Sequence, residues 1–142
     1  MRKILVALDG SPHERDVLAA AVSLAQRLGG ELLLFHAVSL PVALPPAALA
    51  VPPAQVGGLL LEQADSHLRT LLQKLPAGVT AGAQVELGTP WRAVCDVARA
   101  QAVDLVVIGT HGFGGVDRLI GTTAAKIVNH APCSVLVARP PA

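Results

Sequence analysis

The stretch VVIGTHGFGGVDRLIGTTAAKIV, residues Val106 to Val128, decides how the chain is read. It opens as an unbroken aliphatic run, breaks into glycines and resumes with helical spacing. Five glycines fall between Gly109 and Gly121, and each costs backbone entropy on folding. A stable domain carries that cost where the chain turns sharply or a ligand approaches the main chain. The aliphatic run reads as a strand buried on both faces, as in a parallel sheet. Glycines at its carboxyl end followed by a helix form the strand–turn–helix unit in which such sheets bind ligands.

The same unit recurs along the chain. KILVALD ends at Asp9 and leads through GSPHE into a helix, with Ser11 expected as N-cap, Pro12 in its first turn and Glu14 completing a capping box. Leu18, Ala21, Leu24, Ala25 and Leu28 form the expected buried stripe, and Gly29-Gly30 ends the helix. ELLLFHAV is a second strand. Residues 39–58 are rich in Pro and Ala and read as a long loop. A helix is expected from Leu59, with Leu60, Ala64, Leu68, Leu72 and Leu75 on one stripe. AQVELG is a short strand. TPWRAVCDVARAQ is a helix with Thr89 as N-cap and Pro90 in the first turn, and VDLVVIG is the fourth strand. TTAAKIVNHA is a helix, and CSVLVA is the last strand. Strands alternating with helices predict one α/β domain over residues 1–142, with a doubly wound, mostly parallel five-stranded sheet and helices on both faces.

Composition narrows the function. Of the 142 residues, 52% are hydrophobic and 15% charged, and Phe35, Phe113 and Trp91 are the only aromatics. With a formal net charge of +1 there is neither a basic surface nor a set of stacking platforms for nucleic acid. The five prolines between Leu40 and Val56 interrupt a spanning helix repeatedly, so no membrane span is expected. Ile4 to Leu8 is too short for the apolar core of a signal peptide. Cys95 and Cys133 form no CxxC and suit buried thiols in a reducing cytosol. His130 and Cys133 lack a second ligand pair for zinc.

Two readings of the glycines stand side by side. In one, Gly109, Gly112 and Gly121 let a phosphate reach the backbone, and the N-terminus of the following helix, with the hydroxyls of Thr122 and Thr123, supplies donors. In the other, the segment is a plain strand–helix loop with Thr122 as N-cap. Asp9 is either a ligand-facing carboxylate or part of an Asp-Gly turn. His36 reads as a satisfied core histidine, and Trp91 as a packing residue at a helix start. No Walker A motif, G-x-G-x-x-G turn or G-x-S-x-G elbow is present.

KILVALDGS, LLLFHAV and DLVVIGTHGFGGVDRLIGTTAAKIVNHAPCSVLVAR together resemble the universal stress protein family, with the order of elements matching from end to end. The resemblance implies an adenine nucleotide-binding, Rossmann-like domain that pairs through its last strand, here residues 133–138, as a cytoplasmic homodimer in stress response. Some members bind ATP through G-x-x-G, nine residues, then G-Ser/Thr. By position, Gly109, Gly112, Gly121, Thr122 and Thr123 would cradle the phosphates. Asp9 would hold the sugar or a Mg or Mn ion near the phosphates, and the Ala37 backbone would meet the adenine. This chain has eight residues between Gly112 and Gly121, Phe113 to Ile120, a shortening expected to shift every later donor. The resemblance implies a regulatory ATP-binding module, at most a weak ATPase, with a nucleotide-free dimerisation and interaction module as the alternative.

Overall fold

The computed structural model describes residues 2–40, 53–110 and 120–140. Nine elements alternate: β1 (Lys3–Ala7), α1 (Glu14–Leu28), β2 (Glu31–Val38), α2 (Pro53–Gln73), β3 (Ala81–Leu87), α3 (Pro90–Ala100), β4 (Leu105–Gly109), α4 (Thr122–His130) and β5 (Ser134–Ala138). The five strands form one parallel sheet in the order β3-β2-β1-β4-β5. The chain steps outward from β1 to β2 and β3, then returns to β1's other side with β4 and β5. β1 and β4 therefore flank the topological switch point, the crevice in which open α/β sheets bind ligands.

Strand periodicity sorts the core into two layers. Ile4, Val6, Leu32 and Leu34 face α1 and α2, where they meet Val17, Ala21, Ala25 and Leu68. Leu5, Phe35, Val106 and Ile108 face α3 and α4, where they meet Val94, Val97, Ala98, Ala124 and Ile127. Both faces of β1 and β4 are buried, which is why these strands read as continuous aliphatic runs.

Four local expectations are corrected. α1 starts at Glu14, and Ser11 is not its N-cap. Asp9 Oδ1 accepts from the Ser11 N–H at 2.9 Å, and Gly10 takes a left-handed φ of 76°. This turn holds residues 10–13 out of the helix, since a short polar side chain offers the backbone a rival partner. Glu14 still reaches back, but to the Gly10 N–H at 3.0 Å. Leu28, expected inside, is 49% exposed at the end of α1.

α2 starts at Pro53 rather than Leu59, so 53–58 are helical and not loop. Pro suits a first helical position, whereas the pair Gly57-Gly58 argues locally against helix at roughly 1 kcal/mol each. Packing explains Gly57: a Cβ there would lie 3.0 Å from Leu87 Cδ1, so glycine lets α2 approach the end of β3. Gly121, not Thr122, is the N-cap of α4, and Thr122 is its first helical residue.

Candidate functional site

A cavity of about 470 Å³ opens at the carboxyl ends of β1, β2 and β4. Asp9, Ala37, Gly109, Gly121, Thr122 and Thr123 all line it, so six positions spread over 115 residues of sequence meet at the switch point. Gly112, the seventh, lies outside the described residues, as do His111 and Arg118.

Each wall has a local cause. β1 ends against β2 at the pair Ala7↔Phe35, with one further bond from Leu8 N–H to the Phe35 carbonyl at 2.8 Å. By the two-residue period of a strand, Ala37 turns its N–H and C=O the same way as Phe35. It does so past the end of β1, so that on this side no strand bonds it, while its register partner Glu86 of β3 lies on the other, and these groups point toward the cavity that Ala37 lines. Opposite lies the start of α4. The Gly121 N–H donates to the Thr110 carbonyl at 2.7 Å, and its carbonyl accepts from Ala125 N–H at 2.9 Å. Gly121 therefore gives close approach but no amide. Among the described residues the amides of Thr122, Thr123 and Ala124 in the first turn have no partner, and they carry the positive end of the helix dipole.

The same Thr110–Gly121 bond bears on the shortened spacing. It ties the two ends of the glycine segment together, while buried Ala124 and Ile127 anchor α4 to the sheet. The donors after Gly121 are thus placed by α4 packing and this clamp. The shortened segment, on which the expected shift of later donors rests, lies at 113–119 outside the described residues.

Asp9 is exposed at the tip of β1, one oxygen committed to the Ser11 N–H. Among the described residues Oδ2 accepts no hydrogen bond, which leaves it for a ligand hydroxyl or a cation. A free carboxylate oxygen is a ligand of the type Mg²⁺ takes, with water and other oxygens completing the shell. Glu14 also lines the cavity but is occupied, by the Gly10 N–H and by His67 on α2. Ser11 and His13 also line it, and the remaining lining is aliphatic or aromatic. Phe35, Ile108 and Val94 were not singled out from sequence, because nothing in their spacing distinguishes a cavity floor from ordinary core.

His36 is not the satisfied histidine expected. Its Nδ1 is buried without a partner among the described residues. Burial pushes its pKa down, against the raising charges of Asp9 and Glu14 and with a smaller lowering push from His67. With the folded pKa depressed, acidification through the ordinary imidazole value of ~6.5 protonates the unfolded chain first. Stability is expected to fall as pH drops from about 7 toward 5.5, and to fall less in His36→Leu. Urea midpoints at both pH values check this; equal losses in the two proteins would remove His36 as the cause. Burial likewise pushes the Cys95 and Cys133 thiols up, which keeps both protonated.

Comparison with known proteins agrees with this geometry. The family model described as "Universal stress protein family" matches residues 1–139. The chain belongs to the universal stress protein family. A universal stress protein of Thermus aquaticus is 33% identical over 146 residues, covering 97% of this chain and 98% of that one. The solved universal stress protein UspA of Lactobacillus plantarum superposes with a TM-score of 0.82 at 27% identity, covering 97% of each chain. Two more distant universal stress proteins share the fold and carry ligands. One is in complex with cAMP (TM-score 0.64, 20% identity, 96% of each chain). The other, from Archaeoglobus fulgidus, is in complex with dAMP (TM-score 0.62, 19% identity, 98% of each chain). No helix among the described residues of this universal stress protein is long and apolar enough to cross a membrane.

Proposed function

We propose that this universal stress protein binds ATP, with Mg or Mn, in the switch-point cavity and acts as a cytoplasmic regulatory homodimer in stress response. The observation that carries the reading is that two sets of backbone groups with no partner among the described residues meet across one cavity. Ala37 offers one N–H and one C=O side by side, the complement of adenine's N1 and N6 amino group. The α4 amides of Thr122, Thr123 and Ala124, with two threonine hydroxyls, offer donors to phosphate. Asp9 between them takes the ribose or the cation. Gly109 and Gly121 admit the ligand to the backbone, and Gly112 belongs to the same cradle by its place in the motif. The cAMP and dAMP of the two structural neighbours support an adenine nucleotide as occupant. The mainly apolar walls and the commitment of both Glu14 oxygens suit holding a nucleotide more than hydrolysing it.

The homodimer reading rests on β5. It is an edge strand, and Val135, Leu136 and Val137 are only partly covered. An uncovered apolar edge is a hazard that a second copy removes.

The protein as purified, once denatured, is expected to release adenine nucleotide detectable by absorbance, or otherwise to bind added MgATP in calorimetry. Neither nucleotide nor heat would leave the nucleotide-free dimerisation module as the function. Sedimentation should show a dimer that Leu136→Asp converts to monomer or aggregate; a wild-type monomer at micromolar concentration would remove the dimer.

A further inference from the structure

Between the start of α3 and the later turns of α4 lies a cluster that the site as described does not use. Trp91, the residue after the cavity-lining Pro90, packs its ring near three basic side chains. The Arg92 guanidinium carbon is 5.3 Å from the ring centroid and the Lys126 ammonium 5.6 Å. The His130 ring lies at 4.9 Å with a 37° tilt. Arg92, Lys126 and His130 are exposed, and Trp91 is half-buried. Among the described residues neither Arg92 nor Lys126 has a carboxylate partner; Asp96, one turn along α3, pairs with Arg99 at 3.6 Å.

Two cations gathered on one ring without an anion repel each other. The attraction of each for the ring, roughly 0.5–1 kcal/mol at an exposed site, holds them only loosely. Their place in the fold says what would neutralise them. Lys126 stands one helical turn beyond Thr122, about 6 Å along the α4 axis. A phosphate chain that starts on the α4 amides and turns back along the side of the helix facing Trp91 would come toward Lys126, with Arg92 across the ring. Charge-assisted bonds to phosphate are stronger than the cation–ring contacts they would replace.

We propose that Trp91, Arg92 and Lys126 form a reader of phosphate-chain length, taking the terminal phosphates of a nucleoside di- or triphosphate. The inference rests on the nucleotide reading above and adds to it a basis for preferring ATP over AMP. Trp91 is a positioning residue, holding the two cations together one turn along α4 from Thr122; Arg92 and Lys126 make the contact.

Trp91 is the chain's single tryptophan, so its emission reports on this cluster alone. ATP and inorganic tripolyphosphate are expected to change that emission by drawing the cations off the ring. AMP, bound to saturation by calorimetry, should leave it nearly unchanged. In the double variant Arg92→Gln/Lys126→Gln, AMP affinity should hold while the advantage of ATP over AMP falls roughly five- to twenty-five-fold, one exposed ion pair being worth up to about fivefold. The loss should shrink in high salt. If AMP binds and the ATP advantage survives the double variant, the reader is overturned and the nucleotide site stands. If neither nucleotide binds the wild type, the nucleotide reading falls. The tripolyphosphate signal then decides the cluster: loss of that signal in the double variant supports it as an anion site, and silence in both proteins overturns it.

Discussion

Gly109→Val is expected to abolish nucleotide binding while the protein still folds. Gly109 closes β4 and lines the cavity, and a Cβ built on it would stand 3.1 Å from Val17 Cγ2. Val17 is 4% exposed, packed into the core beneath α1, and lines the same cavity. Being β-branched, it has few other rotamers to adopt within a helix. The new isopropyl group must either displace Val17 or project into the space a ligand needs. Overpacking of this kind costs about 1–3 kcal/mol of stability. Blocking the cavity should cost at least about 2.7 kcal/mol of binding, a hundredfold in affinity. Adding Val17→Ala should return stability by making room, and binding only in part, because the methyls remain at the ligand's approach. Calorimetry with MgATP and urea denaturation separate the two effects. Unchanged ATP affinity in Gly109→Val would place the ligand elsewhere.

What the sequence made legible, and what it did not, follows from the range of the interactions involved. β1 and β4 announce themselves because burial on both faces leaves no room for polar residues, and KILVA and LVVIG contain one charge between them. The parallel order follows from the crossovers. The start of α2 was hidden because its reason is tertiary: Gly57 is where α2 meets Leu87, and nothing within the helix says so. The start of α1 was misplaced because Ser11 and Glu14 carry a capping signature, while the Asp9 side chain captures the Ser11 amide first. At the site, glycines, threonines and Asp9 stand out in sequence because their chemistry is unusual at strand ends. The Gly121 amide could not be seen to be spent on Thr110, since that bond depends on how the loop closes. Nor could Phe35 be told from any other core residue, although it serves both the core and the cavity.

That double role means that Phe35→Ala should cost both stability and binding. Phe35 is 0% exposed, belongs to the layer facing α3 and α4, and lines the cavity. Removing its ring should cost about 3–5 kcal/mol. Against a total stability of about 5–15 kcal/mol for a domain, that is a large fraction. Leu68→Ala supplies the comparison. Leu68 is also 0% exposed, but it lies across the sheet under α2 and does not line the cavity. Its truncation should cost about 2–5 kcal/mol. The two variants thus suffer similar damage on opposite faces of one sheet, and only one of them touches the ligand. A ligand at a hundred times its Kd stabilises the folded state by about 2.7 kcal/mol whatever the starting stability. ATP should therefore raise the urea midpoint of Leu68→Ala by as much stability as it adds to the wild type. It should add much less to Phe35→Ala, whose cavity has lost its floor. Equal ATP stabilisation in all three proteins would mean that the nucleotide does not rest on Phe35. Equal loss in both variants would mean that the sheet, rather than the cavity wall, governs affinity.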